Sequence, residues 1–465
     1  MTSIRDRLLV ALLTLVALVS LLAGALTYRR VLAETSTLFD YQLRQMALSL
    51  RSQVSLAPRL ELPPQQGDAD FVVQIWDPFG TRVYLSRPGL PLINLSLGEP
   101  QHPVPDFVGP VLTRHATEFG RYPAAKGIAP FRDAAASWLG RRFALPRPVD
   151  PEREVLVLSG SREGLFFAAI AAARFAPARA GKPAILLPNP FYPAYAAGTD
   201  AAGCERILLP TTPENGFLPD LDALDAATLD RTVAFYLASP ANPQGAVASA
   251  DYFARLHALA VRHGFVVLSD ECYSEIYTRA APGSMLECAG PDFANVAVFQ
   301  SLSKRSNLPG MRVGFVAGDR GFLAQLHELR NVAAPTVPVP LQHVAVAAYA
   351  DEAHVEDNRD RYRLKFDLAD QILGSRFGYR RPAGGFCLWL DVSACGGDEA
   401  ATLALFTRAG VRVIPGSFLA RRQPDGSNPG AGYIRVALVQ DSASTAEALR
   451  RIVDILDSQS SGEAR

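Results

Sequence analysis

Lys304 closes the tetrapeptide Ser301-Leu-Ser-Lys304, which follows an apolar, strand-like run from Val296 to Phe299, and Arg312 lies eight residues further on in Gly310-Met-Arg-Val-Gly314. A lysine at a strand end can form a Schiff base with an aldehyde. A hydroxyl three residues before it and an arginine beyond it can hold a phosphate. Upstream, Phe265-Val-Val-Leu-Ser-Asp270 delivers a carboxylate out of another apolar run, and Tyr273 follows three residues later. Such a carboxylate can keep a pyridine nitrogen protonated, making the ring an electron sink, while a tyrosine can hydrogen-bond the ring phenolate. Ser239-Pro-Ala-Asn242-Pro-Gln-Gly245 places an amide at the end of the run Thr232 to Leu237, where it too can reach that oxygen. Gly160-Ser161-Arg162, between a strand and a helix starting near Glu163, offers backbone amides at a helix N-terminus, a common seat for phosphate. Each feature alone has a plainer reading: a loop lysine, a helix N-cap at Asp270, turn chemistry around Asn242, a strand-to-helix turn at Gly160. An N-cap, however, accounts neither for Tyr273 nor for the lysine motif thirty-four residues later.

The elements that must position these residues are legible from Asn94 onward. Helices rich in Ala, Leu and Arg (Gly127 to Phe143, Gly164 to Phe175, Tyr252 to His263) alternate with short apolar runs. Those runs are Glu154 to Leu158, Ala184 to Leu187, Thr232 to Leu237, Phe265 to Leu268, Val296 to Phe299 and Arg312 to Val316. The alternation predicts an α/β domain with a largely parallel sheet, in which ligands sit at the carboxyl ends of strands. From Gly384 to Leu456 the pattern returns to strand and helix, with Phe386 to Asp391 and Tyr433 to Leu438 as strands, which predicts a smaller second domain completed by about residues 345–455. Residues 456–465 are expected to be a flexible tail.

Composition narrows the partners. The chain has 465 residues, 49% of them apolar, enough for a well-buried core in two or three domains. Its 46 basic residues balance 46 acidic ones with no sustained basic block, so nothing points to nucleic acid and small molecules are the expected partners. Five scattered cysteines without CxxC spacing argue against both a disulfide framework and a zinc site, and no metal is expected. Residues 8–28 form an uncharged Leu/Val/Ala-rich run between Arg5, Arg7 and Arg29, Arg30, long enough to cross a bilayer as a single N-terminal anchor. A secretory signal ending at Ala23-Gly24-Ala25 is the rival reading. Next come an amphipathic pattern (Leu38, Leu43, Met46, Leu50), a Pro/Gln/Gly-rich loop, and two strand-like runs, Phe71 to Trp76 and Thr81 to Leu85, around the hairpin signature Asp77-Pro-Phe-Gly80. The first ninety residues resemble the membrane-proximal sensory segment of bacterial two-component sensor histidine kinases. No phospho-acceptor histidine motif or ATP-binding box follows them.

From about Leu92 to Leu456, the motifs occur in the order and spacing of the class I/II aminotransferases of pyridoxal-phosphate (PLP) fold type I, and the chain resembles that family. The resemblance implies PLP as cofactor, an amino acid and a 2-oxo acid as substrates, and a homodimer as the active unit. It implies that Lys304 binds the cofactor covalently and shuttles a proton, that Asp270 pairs with the pyridine nitrogen, and that Asn242 and Tyr273 bind the phenolate oxygen. Gly160, Ser161, Arg162, Ser301 and Arg312 would surround the phosphate, and Tyr192 would stack on the ring. Arg435, in Tyr433-Ile-Arg-Val-Ala-Leu438, looks like the family arginine that clamps the substrate carboxylate, a task suited to a guanidinium. Gly98 matches a glycine whose backbone approaches the same carboxylate. Tyr122 matches a tyrosine that reaches the neighbouring subunit's phosphate.

Three stretches are most similar to the bacterial N-succinyl-L,L-diaminopimelate aminotransferases of lysine biosynthesis: Gly98-Glu-Pro-Gln-His-Pro103, Ser159-Gly-Ser-Arg-Glu-Gly-Leu165 and Ser301-Leu-Ser-Lys-Arg-Ser-Asn-Leu-Pro-Gly-Met-Arg312. That similarity implies amino transfer from glutamate to N-succinyl-2-amino-6-oxopimelate. Other class I aminotransferases of the aspartate or alanine type, and a C–S β-lyase on the same fold, are neighbouring alternatives. A membrane sensor with a non-catalytic ligand-binding domain is the alternative of another class. The sequence departs from the family where a short N-terminal arm would pack on the partner subunit, since the sensor-like segment stands there instead. The pool of PLP and glutamate places the expected catalytic domain in the cytoplasm.

Overall fold

Seven short runs with little charge build the main sheet of the computed structural model, which describes residues 74–76, 82–84 and 90–460. They are β4 (Val155–Leu158), β5 (Ala184–Asn189), β6 (Glu205–Pro210), β7 (Thr232–Ala238), β8 (Val266–Asp270), β9 (Val296–Ser301) and β10 (Gly314–Gly318). Their order across the sheet is β4-β10-β9-β8-β7-β5-β6, and only β10 runs antiparallel to its neighbours. The sheet is therefore largely parallel, as the alternation of helices and apolar runs predicts. Side chains in a strand alternate between faces. Thus Val155 and Val157 pack into one core with Phe131, Trp138 and Leu256, while Leu156 and Leu158 pack into another with Leu165, Phe322 and Leu326. Helices cover both faces, so these strands carry apolar residues at successive positions rather than at every second one.

Two strand readings need correction. The strand expected to start at Arg312 begins at Gly314, because Arg312 has φ of 55°, in the left-handed region, and cannot join a ladder. The strand Glu205–Pro210 was not anticipated; it lies at the edge of the sheet, opens on the charged pair Glu205-Arg206 and has an apolar run of only three residues, Ile207 to Leu209.

A second, three-stranded sheet combines β11 (Cys387–Asp391), β13 (Ile414–Pro415) and β14 (Tyr433–Ala437) in the order β11-β14-β13. It packs on the helices Ala353–Leu373, Asp398–Ala409 and Ser442–Ser460. The last helix buries Ile452 and Leu456 and runs to Ser460, so the expected tail is helical for five further residues. Ile93–Asn94 (β3) pairs in parallel with Val411–Arg412 (β12), and Leu95 accepts a hydrogen bond from Ala437 N at 2.9 Å. The segment that opens this region of the chain is thereby built into the smaller sheet's side.

Gln74–Trp76 (β1) and Arg82–Tyr84 (β2) pair antiparallel with Gln74 opposite Tyr84, which is the hairpin expected around Asp77 to Gly80. The apolar run at residues 8–28, expected as a membrane anchor, and the amphipathic pattern after it lie outside the described residues. Among the described residues, no helix is long and apolar enough to cross a membrane.

Candidate active site

Parallel strands side by side bring their carboxyl ends together, and those ends carry the singled-out residues. Asp270 ends β8, opposite Ala238 of β7 on one side and Phe299 of β9 on the other. Asn242 lies in the turn after β7, Ser301 ends β9, and Lys304 sits in the one-turn helix Leu302–Arg305 that follows. From the smaller sheet, β14 contributes Arg435 and β11 contributes Cys387, with Phe386 just before it. The backbone ties the two sides together: Gly384 N donates to Gly245 O at 3.1 Å and Gly385 N to Ile276 O at 2.8 Å.

One end of the site gathers Gly160, Ser161, Ser301 and Arg312. Gly160 has φ of 76° and caps the helix Ser161–Phe175, and a Cβ built on it would collide with the Arg312 guanidinium. Glycine here permits both the backbone conformation and the close approach. Arg312 is held by a bond from Nη1 to Pro309 O at 3.0 Å. Ser301 Oγ accepts from Ser303 N at 3.1 Å and so caps the lysine-bearing helix. Arg162 turns elsewhere: its Nε donates to the Tyr192 hydroxyl, and its guanidinium lies 5.7 Å from the Tyr192 ring centroid. Tyr122 stands apart with a fully exposed side chain.

The other end is built around Asp270 and Lys304. Burial raises the Asp270 carboxyl above its usual range, opposed chiefly by the hydrogen bond that Tyr195 OH donates to its Oδ2 at 2.7 Å. Tyr195 is itself fixed by stacking on Tyr236, with centroids 4.3 Å apart. Asn242 Nδ2 donates to Tyr273 OH at 3.4 Å, and Asn242 Oδ1 accepts from Arg435 Nη1 at 3.5 Å. Burial pushes the Tyr273 phenol well above its usual value. Arg435 Nη2 donates to Ser96 O at 2.6 Å, while its buried Nε has no partner. Lys304 Nζ donates to Gly98 O and lies 5.0 Å from the Phe386 ring centroid and 5.7 Å from that of Tyr273. Burial brings its pKa down to about 8, reinforced by the Arg435 charge and opposed by Cys387 and Cys272. Gly98 is therefore next to the lysine through its carbonyl, with Phe386 3.6 Å from where a side chain would start.

Sequence reasoning missed three contributors. Tyr195, three residues after Tyr192 on the first turn of the helix Pro193–Ala201, carries no signal in the sequence that separates it from an ordinary core tyrosine. Phe386 reads as an ordinary strand residue. Asn358, in the helix Ala353–Leu373, donates to the backbone oxygens of Lys304 at 3.1 Å and Arg305 at 3.3 Å, and its Oδ1 meets His102 Nδ1 at 2.6 Å. His102 Nε2 lies 2.8 Å from Nζ of the buried Lys365, whose pKa burial lowers to about 8. This buried polar network braces the backbone under Lys304, and no spacing in the sequence signals it.

Residues 91–452 match the family described as aminotransferase class I and II. The LL-diaminopimelate aminotransferase of Desulforudis audaxviator is 34% identical over 372 residues, 78% of this chain and 90% of that protein. That of Nitratidesulfovibrio vulgaris is 31% identical over 376 residues, 79% and 92% of the two chains. Among solved structures, an aminotransferase from Neisseria meningitidis superposes with a TM-score of 0.75 at 37% identity, covering 80% of this chain and 93% of that one. A probable N-succinyldiaminopimelate aminotransferase from Thermus thermophilus gives 0.70 at 28% identity, covering 79% and 95%. The resemblance of the first ninety residues to a histidine-kinase sensor segment gains no support, since the family match begins at residue 91. With lysine, aspartate and arginine converging between the two sheets and most of its length matched, the chain belongs to the class I and II aminotransferases and is a PLP-dependent enzyme.

Proposed function

We propose that this enzyme exchanges an amino group between glutamate and the 2-oxo partner of a diaminopimelate-series amino acid, with N-succinyl-L,L-diaminopimelate as the amino-acid form. The observation that carries the reaction is the convergence of Lys304, Asp270 and Arg435 on one site walled by Phe386 and Tyr273.

The residues present fit PLP. Gly160 leaves room that any side chain would fill, beside Arg312 and the amides at the start of the helix Ser161–Phe175, which suits a phosphate. Gly160, Ser161, Ser301 and Arg312 would hold it, with Arg162 acting through the orientation of Tyr192. Asp270, an acceptor-bearing group at the strand end, would hold the pyridine nitrogen, and Asn242 with Tyr273 would bind the phenolate oxygen. Tyr192 would lie against the ring, and Tyr122 of one subunit would reach the phosphate in the other subunit of a homodimer. Bound PLP supplies the electron sink that makes an amino acid's α-hydrogen acidic. Lys304 Nζ is the base that accepts the proton from the α-carbon. Arg435, with its unpartnered Nε and its neighbour Gly98, would bind the α-carboxylate and orient that hydrogen toward Lys304.

Arg435→Lys keeps a charge but loses the planar fork. The expected outcome is a KM for the amino acid raised by about tenfold or more, with the spectrum of the bound cofactor unchanged, since losing even one hydrogen bond to a charged group costs roughly 1.5–3 kcal/mol. Steady-state kinetics and an absorbance scan check both halves. A second expectation follows from the lowered pKa of Lys304. Only the free amine attacks an aldehyde, and at neutral pH a lysine with a pKa of about 8 has roughly two orders of magnitude more free amine than one at the usual value. The sign is that of a depressed base: free amine accumulates as pH rises through about 8. Cofactor uptake by the PLP-free protein, followed by absorbance, should therefore accelerate between about pH 7 and 9 and then level off.

The substrate is settled by offering N-succinyl-L,L-diaminopimelate and free LL-diaminopimelate as amino donors to 2-oxoglutarate. Higher kcat/KM for the succinylated compound supports the motif similarity and the Thermus neighbour's name. Higher kcat/KM for the free amino acid supports the second reading, which the names of the curated relatives favour. Release of pyruvate and ammonia from a cysteine conjugate, without glutamate formation, would replace both with a β-lyase.

A further inference from the structure

We infer that His115, Glu118 and His343 form a binding site for a divalent cation of the zinc class, outside the PLP site. The three come from separate elements: His115 ends the helix Val108–His115, Glu118 lies in the helical turn Ala116–Gly120, and His343 lies in the helix Val339–Ala350. Glu118 Oε1 is 2.6 Å from His115 Nδ1 and 3.5 Å from His343 Nε2, and all three ligand atoms lie within 4.8 Å of one another. Each side chain is partly exposed, at 24%, 38% and 22%, so solvent and an ion can enter.

The donor set is the one a borderline cation prefers, two imidazoles and one carboxylate, which leaves a fourth position open for water. Zinc bonds of about 2.1 Å in a tetrahedron set donor atoms roughly 3.4 Å apart. The two Glu118 separations, 2.6 and 3.5 Å, lie on either side of that distance, so an ion would draw Glu118 away from His115 and turn the stacked rings until both in-plane lone pairs meet at one point. The charge arrangement also favours an ion. The two imidazoles are stacked with centroids 3.7 Å apart and planes at 13°, and the Glu118 carboxylate lies against both. A single cation can bind both rings and the carboxylate together.

The site's position gives the ion a structural consequence. Beside His343, Gln342 accepts from Ile128 N at 2.8 Å through Oε1, and Gln342 Nε2 donates to Val337 O at 2.7 Å. The helix Val339–Ala350 therefore holds the downstream end of the segment 116–128 already, and an ion on His343 would fasten the upstream end. Tyr122 lies between those two ends, so an ion would fix the segment that carries it; this consequence, unlike the site, rests on the task proposed for Tyr122.

The test is titration of the full-length, tag-free, EDTA-treated protein with zinc chloride by calorimetry, with thermal denaturation in parallel. The wild type should bind one ion per chain and melt at a higher temperature with zinc than without. His343→Ala and Glu118→Gln should each weaken binding by about tenfold or more and remove the thermal shift, given that even groups behind metal ligands are worth about 10–100-fold. Both variants should melt as the wild type does in EDTA; if His343→Ala does not fold, Glu118→Gln decides. Cobalt(II) should give visible bands of nitrogen and oxygen ligation that vanish in the variants. Absence of zinc binding in the wild type, unaltered binding in folded variants, or a thiolate-to-cobalt charge-transfer band would overturn the site. None of these readouts depends on transamination.

Discussion

Lys304→Ala is expected to eliminate measurable transamination while leaving the protein folded and still able to bind PLP without a covalent bond. Two functions leave with the one amine: the attachment of the cofactor and the base that moves the α-proton. A single positioned general acid or base is worth about 10²–10⁴-fold, so losing both sets that range as a minimum. The rest of the site does not depend on Nζ for its hydrogen bonds, because Nζ donates to a backbone oxygen, that of Gly98, and Asn358 holds the Lys304 main chain rather than the side chain. PLP affinity should therefore fall less than activity. Coupled assay of 2-oxoglutarate consumption and equilibrium dialysis with PLP check the two statements. Residual turnover within about tenfold of wild type would remove Lys304 from the assignment, being well short of what one proton-transfer group contributes.

Asp270→Asn is expected to have the next largest effect, a fall in kcat of about 10²-fold or more with the fold retained. Asparagine has nearly the same shape, and its oxygen can still accept the bond from Tyr195 OH, which Asp270 receives at 2.7 Å. What it loses is the negative charge that keeps a pyridine nitrogen protonated. A group that binds the cofactor without tuning it would show the opposite pattern, weaker PLP binding with little change in kcat at saturating cofactor. Titrating PLP into the variant and measuring kcat at saturation separates the two.

The fold was legible wherever strands are buried on both faces. β4, β5, β7, β8 and β9 are near-continuous apolar runs, and β8 and β9 end in the polar residues Asp270 and Ser301, so those two could be read directly. Pairing direction has no local signature: in the seven-stranded sheet, β10 runs against the others yet looks like its neighbours in composition. β3 and β12 are two residues each and exist only through pairing across more than three hundred positions. The site was legible where chemistry needs a particular residue type at a strand end. It was not legible where the supporting group lies on a helix and acts at long range, as Tyr195 does on Asp270 and Asn358 does on the backbone of Lys304. The His115, Glu118 and His343 cluster is of the same kind, because two of its members are close in sequence and the third is brought in only by helix packing.

The most direct test of transamination is a half-reaction on the full-length protein loaded with PLP. Glutamate is added with no 2-oxo acid acceptor, and the visible absorbance of the bound cofactor is followed along with the 2-oxoglutarate released. The account predicts that the long-wavelength band gives way to that of the aminated cofactor, with one 2-oxoglutarate formed per active site, and that added 2-oxoglutarate reverses the change. A folded, PLP-loaded protein whose spectrum stays unaltered by glutamate and by either diaminopimelate donor would contradict it.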